Sequence, residues 1–113
     1  MRIPTNAIIR EEKITQYLLI FKARNDKSKF LKQAGFTQEN WEILQAAIRS
    51  LAASVEAVED RVDEYGAFYR IEGELTGANG INLPVILIWL KPHRNGQFQF
   101  ITLKPRKNFH NGN

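Results

Sequence analysis

Ile14, Tyr17, Leu18 and Phe21 fall at i, i+3, i+4 and i+7, the spacing of one helical face, and predict an amphipathic helix over residues 11–23. Glu11 and Glu12 stand at the end where the helix dipole is positive. Phe30, Leu31 and Ala34 predict a short second helix, capped by Asn25 or Asp26 and closed by Gly35. Thr37 reads as the N-cap of a third helix, with Phe36 and Trp41 as its hydrophobic staple. Trp41, Leu44, Ile48, Leu51 and Val55 then carry an apolar stripe for four turns. Near residue 55 the period drops to two. Ala67, Tyr69, Ile71, Gly73 and Leu75 alternate with Arg70, Glu72, Glu74 and Thr76, which predicts a strand with one charged face. A shorter strand over 57–62 precedes it. The stretch Gly77-Ala78-Asn79-Gly80 reverses the chain into a strand over 81–91, apolar on both faces in its second half and therefore central. Pro84, which has no N–H to give a ladder, belongs at its start or at a bulge. Asn95-Gly96 signals a type I′ turn into a last strand over 97–104.

The predicted fold is α+β: three N-terminal helices packed on one face of a four-stranded antiparallel meander. Residues 1–107 form a single domain and 108–113 a frayed tail. A chain of 113 residues with 43% hydrophobic and 25% charged positions has the composition of one globular domain. With no cysteine there is no disulfide framework, no thiolate metal site and no nucleophilic thiol. Two histidines argue against a multi-histidine metal centre, and no cofactor is implied. The longest apolar run, Val85 to Leu90, is far short of a membrane span, and the first residues carry no signal-peptide core, so the chain reads as cytoplasmic.

Charge changes the picture more than composition does. The net charge is +4, but residues 1–53 carry nine basic and five acidic side chains, 54–76 two and seven, and 77–113 five and none. One basic cluster is Lys22, Arg24, Lys27, Lys29 and Lys32; the other is Lys91, Arg94, Lys104, Arg106 and Lys107, with His93 and His110. Brought together, they make a surface for phosphate backbones or for an acidic protein. Left apart, they are a solvated face and a basic tail. The candidate phosphate-binding set is Lys22, Arg24, Lys27, Lys29, Lys104 and Arg106.

Metal-free RNA cleavage needs a group to take the 2′-hydroxyl proton, a group to protonate the leaving oxygen, and cations for the phosphorane. His93, beside Lys91 and Arg94 at the last hairpin, is the candidate acid/base, with Arg94 as its partner. A solvated hairpin histidine is the plainer alternative. Glu72 or Glu74 with Arg70 offers a base beside a phosphate-holding guanidinium, or else an exposed charge ladder. Phe98 and Phe100 alternate with Thr102 and Lys104, so they either stack bases or fill the core. Trp41, Tyr69 and Trp89 read as core anchors, and no glycine run matches a dinucleotide or P-loop pattern. Two function classes stay open: binding, and metal-independent cleavage, of RNA or another polyanion, and a non-catalytic module that docks a small acidic protein or a second copy of itself through a sheet edge.

Asn6-Ala7 leading to Lys13-Ile14 and Tyr17-Leu18-Leu19, then Ser28-Lys29-Phe30, Gly35-Phe36, Trp41, Tyr65-Gly66, Tyr69, Gly73, Leu75-Thr76-Gly77 and Trp89, resemble a small bacterial domain family of unknown function. The resemblance spans roughly residues 3–105. It implies a domain found alone and as the C-terminal module of polymorphic-toxin-like proteins, and it brings no catalytic residues. The segment between Leu19 and Ser28 is shorter than the family's loop, so a site built on that loop is reduced here. The order of helices then meander is also similar to that of small bacterial ribonucleases and ribosome-dependent toxins, a likeness of layout alone.

Overall fold

The computed structural model describes residues 1–23 and 26–106. A four-stranded antiparallel sheet, in the order β1-β2-β3-β4, is built from β1 (Val58–Val62), β2 (Gly66–Thr76), β3 (Asn82–Pro92) and β4 (Gln99–Pro105). This is the expected meander. The helices α1 (Glu11–Lys13), α2 (Ser28–Lys32) and α3 (Trp41–Ser54) all precede it. The chain is therefore α+β. The expected three-helix layer on one face is realised chiefly by α3, which lies across β2, while the turn following α1 packs on α3.

The first helix departs most from its pattern. One α turn widens at once into a π turn, Ile14–Leu18, in which the Leu19 N–H reaches back to the Ile14 carbonyl at 3.0 Å. The wide turn lets Ile14, Leu18 and Leu19 all bury on one side. Helix does not continue to residue 23, so Phe21 leaves the predicted stripe and stands 67% exposed. Gly35 does adopt the left-handed conformation (φ 84°) expected after α2, its N–H bonded to Lys32 O at 2.9 Å. The third helix starts later than expected, at Trp41. Asn40 is its N-cap residue, and its Oδ1 accepts from the Thr37 N–H at 2.8 Å and the Thr37 hydroxyl at 3.1 Å. Thr37 is thus held by the cap instead of being one.

Leu44, Ile48, Leu51 and Ala52 of α3 bury against the odd-numbered face of the sheet, where Ile71, Leu75, Val85, Leu87 and Trp89 lie. Gly73 permits this approach: a Cβ there would sit 2.7 Å from Leu51 Cδ1. Phe98 and Phe100 belong to the core, the latter edge-on to Trp89 at 5.5 Å. Trp89 is buried, whereas Trp41 and Tyr69 are only partly so. The last hairpin is not a two-residue type I′ turn: the Gly96 N–H bonds Pro92 O at 2.9 Å across a longer loop, with Gly96 in the left-handed region (φ 66°).

The residues before α1 carry no periodicity, yet they form a strap over the core. Ile3, Ala7 and Ile9 are buried. Arg49 donates to Ala7 O at 2.9 Å and Gln45 to Ile9 O at 3.0 Å, tying the strap to α3. Ile8 bridges to Gln99 in parallel and so covers part of the outer edge of β4. The opposite edge, β1, is exposed along its whole length.

Candidate functional site

The even-numbered side chains of β2 and β3 point away from α3. From Phe68 to Thr76 and from Pro84 to Leu90 none of them is buried. The strand registers set the layout of this open face. Arg70 pairs with Ile88, and Ile88 with Thr102, in one row. Glu72, Ile86 and Lys104 form the next row. Phe68, Leu90 and Gln99 form the row on the other side. The centre of the face is therefore half-exposed aliphatic surface, and its flanks carry charge. Arg70 Nη2 sits 2.9 Å from Glu72 Oε2, and Arg106 Nη1 lies 3.9 Å from Glu72 Oε1. One carboxylate thus stands between two guanidinium groups. At the β1 side Arg61 stacks over the Phe68 ring at 4.0 Å.

At the β4 side the first row runs on into the helical part of the molecule. The Lys27 ammonium donates to Thr102 Oγ1 at 3.0 Å and to Tyr17 Oη at 3.3 Å. Lys22 Nζ stands over the Tyr17 ring at 3.8 Å, and Lys13 Nζ lies 5.4 Å from its centre. The Thr102 hydroxyl, then the Lys27 hydrogen bond and the charges of Lys27 and Lys22, draw the Tyr17 phenol below its ordinary pKa, against the opposing effect of burial. Asp26 shapes this cluster from the loop: its Oδ1 accepts from the Ser28 hydroxyl at 2.7 Å, the Ser28 N–H at 3.2 Å and the Lys22 N–H at 3.3 Å. Those bonds, led by the Ser28 hydroxyl, hold its carboxyl below the usual range.

The structure divides the expected phosphate-binding set. Lys22 and Lys27 meet at Tyr17, and Lys104 stands two residues along β4 from Thr102, on the same face. Arg106 turns to Glu72, and Lys29 turns away to Phe21, 5.9 Å from that ring. Arg24 lies outside the described residues, as do Lys107, His110 and the 108–113 tail. Asn25, one of the two expected caps of the second helix, does too.

His93 and Arg94 are exposed at the far end of the sheet. The Arg106 N–H bonds Pro84 O, and Pro84 to Pro92 is eight residues of β3, so at about 3.3 Å per residue the hairpin is roughly 25 Å from Arg106. His93 Nε2 lies 2.9 Å from Asp63 O, and its backbone N–H donates to Tyr65 O at 3.1 Å. A carbonyl only accepts, so Nε2 carries the hydrogen and Nδ1 is the nitrogen left for proton transfer. The ring also ties the β1–β2 turn to the last hairpin. Asp63 itself is held below the usual carboxylate range, chiefly by the Tyr65 N–H and also by Arg61.

Tyr17, Lys13 and Thr102 were not singled out from the sequence as one group. The Lys13–Tyr17 spacing of i, i+4 was visible, but a partner 85 residues further on was not. An apolar cavity of about 370 Å³ lies between the strap and α3, lined by Ile3, Pro4, Ala7, Ala52, Ala53 and Trp89. The Trp89 indole N–H is buried without a partner. Among the described residues no cluster of His, Asp or Glu has the makings of a metal site, and no helix is long and apolar enough to cross a membrane.

No curated protein sequence matches the chain. In fold it is similar to a chain of the contact-dependent growth inhibition toxin–immunity protein complex from Klebsiella pneumoniae 342, at a TM-score of 0.69 and 19% identity, covering 88% of this chain and 100% of that one. That likeness is one of fold. The sequence resemblance is matched at the level of the family: over residues 4–107 this chain belongs to the family described as a domain of unknown function (DUF6883).

Proposed function

We propose that this domain binds single-stranded RNA across the open face of its sheet and cleaves it without a metal ion. The observation that carries this reading is the cross-strand row that joins Arg70, Ile88 and Thr102 to Lys27, with Lys104 beside it. Single-strand binders use cations for phosphates and aromatic rings for bases; on this face Phe68 is the ring, and Ile86, Ile88 and Leu90 extend the apolar surface beside it. Lys22, Lys27, Lys104 and Arg106 hold phosphates in this reading, with Lys29 further out and Arg24 as a further basic member of the set. Two groups are suited to proton transfer, one on the face and one at the hairpin, too far apart to share a step. Glu72, between Arg70 and Arg106, takes the 2′-hydroxyl proton, the guanidinium groups stabilise the phosphorane, and the protonated Glu72 carboxyl returns the proton to the leaving 5′ oxygen. His93, with Arg94 beside it, acts through Nδ1 at the hairpin end. RNA as substrate implies action in the cytoplasm.

The test is incubation of end-labelled transfer RNA and total bacterial RNA with the protein in chelator, at two salt concentrations, alongside Glu72→Gln and His93→Ala. Cleavage lost only in the first variant puts the chemistry at mid-sheet; loss only in the second puts it at the hairpin. Absence of both cleavage and salt-sensitive binding overturns the proposal.

A second reading has its own support. Phe68, Ile86, Ile88 and Leu90 make the face apolar at its centre and charged at its rim, as protein interfaces are. The fold neighbour comes from a toxin–immunity protein complex. On this reading the face docks a small acidic protein, through a contact that salt weakens less than RNA binding. A second copy of the chain is a poorer occupant, because the exposed edge β1 is bulged between Glu59 and Arg61 and charged along its middle.

A further inference from the structure

We propose that Lys13, Lys22 and Lys27, with the hydroxyls of Tyr17 and Thr102, form a phosphate site at the outer edge of β4 that anchors one phosphodiester of the strand lying on the sheet. The inference rests on the RNA reading above and deepens it, gathering its lysines into one discrete site where the open face ends at β4. Three ammonium groups stand within 3.8, 5.1 and 5.4 Å of the centre of one ring. Like charges so close repel, and among the described residues none of the three forms an ion pair with a carboxylate. Asp26, the nearest acid in the loop, spends its Oδ1 on backbone and hydroxyl donors of Lys22 and Ser28. Its bonds to the Lys22 N–H and to Ser28 hold the two ends of this loop together, with Lys22 and Lys27 both at Tyr17.

Glu12 and Arg10 border the shallow depression beside Tyr17, one charge offsetting the other. The donors are varied in kind: ammonium groups that carry charge, and two hydroxyls that Lys27 already bridges at 3.0 and 3.3 Å. Such a set suits a tetrahedral oxyanion with several acceptor oxygens. Position selects the source. Thr102 ends the row that starts at Arg70, so a backbone running along that row reaches the cluster as it leaves the sheet. The Tyr17 phenol is held below its ordinary pKa first by the Thr102 hydroxyl and then by the Lys27 hydrogen bond and the charges of Lys27 and Lys22, so it senses two of the cations that would hold the anion.

Anion occupancy and phenolate formation therefore oppose each other, by the reciprocity of linked equilibria. The experiment has two arms. In the first, absorbance of the ionised tyrosine near 295 nm is followed from about pH 8 to 11 in sodium phosphate and in sodium chloride of equal ionic strength, with Tyr17→Phe identifying the signal. Phosphate is expected to raise the Tyr17 midpoint toward the ordinary value. In the second, binding of a single-stranded RNA 12-mer is measured at pH 7 against salt for the wild type and Lys22→Gln/Lys27→Gln, whose fold is verified by circular dichroism. The double variant is expected to bind at least tenfold more weakly at low salt, with the slope of log K on log salt reduced by about 0.7, one single-strand phosphate contact. Binding within twofold of wild type, or a midpoint indifferent to phosphate, overturns the site. The two readings also separate. RNA binding untouched by the double variant removes this site and leaves only Lys104 and Arg106 as phosphate contacts of the open face; a phosphate-raised midpoint without any RNA binding keeps the anion site and removes the RNA strand.

Discussion

Gly77 is where the turn after β2 meets the end of α2, and replacing it by alanine tests how closely the two are fitted. A Cβ at this position would lie 2.2 Å from Ala34 O and 2.3 Å from Ala34 Cβ. Ordinary carbon contacts are about 3.5–4.0 Å, so one backbone segment has to retreat by roughly 1 Å or more. Ala34 is fully buried and cannot move outward freely. The same turn donates to α2 from Asn79, through its N–H to Ala34 O at 3.3 Å and its Nδ2 to Gln33 O at 3.0 Å. Forced displacement in a packed region costs about 1–3 kcal/mol and a lost hydrogen bond about 1 kcal/mol more, so Gly77→Ala is expected to destabilise by about 3 kcal/mol. For a domain of this size that lowers Tm by about 12 °C. Gly80→Ala is the control: φ is 86° and nothing lies within 4 Å, so only the left-handed backbone is penalised, at about 1 kcal/mol and 4 °C. Thermal and urea unfolding of both variants read the difference. A Gly77→Ala protein no less stable than Gly80→Ala would refute the reasoning and mean that the turn and α2 are not in firm contact.

Lys27→Gln should raise the Tyr17 midpoint seen at 295 nm. Because the folded phenol titrates below its unfolded value, its contribution to stability is complete above about pH 10 and absent below the folded midpoint, so the variant's urea midpoint should fall relative to wild type at pH 10 but not, through this linkage, at pH 7. Asp26 is lowered when folded, so its contribution is present above its unfolded pKa and lost as pH falls through the folded one; Asp26→Asn should give a shallower loss of stability in an acid urea series below about pH 5. Glu72→Gln removes an exposed ion pair, so its Tm should change by the equivalent of less than about 1 kcal/mol. The same change leaves Arg70 and Arg106 without their carboxylate, so fluorescence anisotropy should show tighter RNA binding at low salt.

The site was legible in part. The alternation of Arg70, Glu72 and Glu74 with apolar neighbours marked a charged sheet face, and the chain shows it. Two basic clusters were visible as composition, but composition does not say which lysine reaches which strand. Lys27 and Thr102 are 75 residues apart in sequence and 3.0 Å apart in space. That contact depends on Asp26 folding the loop and on β4 lying at the edge of the sheet. His93 and Arg106, read as members of one basic stretch, are held at opposite ends because an antiparallel hairpin separates residues as its strands lengthen.

Local pattern was sufficient for the elements whose periodicity matches their burial. The α3 stripe, the alternation of β2, the doubly apolar and hence central β3, and the glycine that ends α2 follow from side-chain spacing and backbone sterics, which act within a few residues. The membership of Phe98 and Phe100 in the core follows likewise from the scarcity of apolar cover in a domain this small. Other features were decided by contacts between segments far apart. The π turn exists because Ile14, Leu18 and Leu19 all find room in one core, which overrides the α-helical period and leaves Phe21 in solvent. The strap at residues 3–9 has no period, since its backbone is held by Arg49, Gln45 and the edge of β4. The lysines about Tyr17 are gathered the same way, by long-range packing and not by their own neighbours in the chain. Periodicity records which way a side chain points along one element; where two elements meet is settled only when the whole core closes.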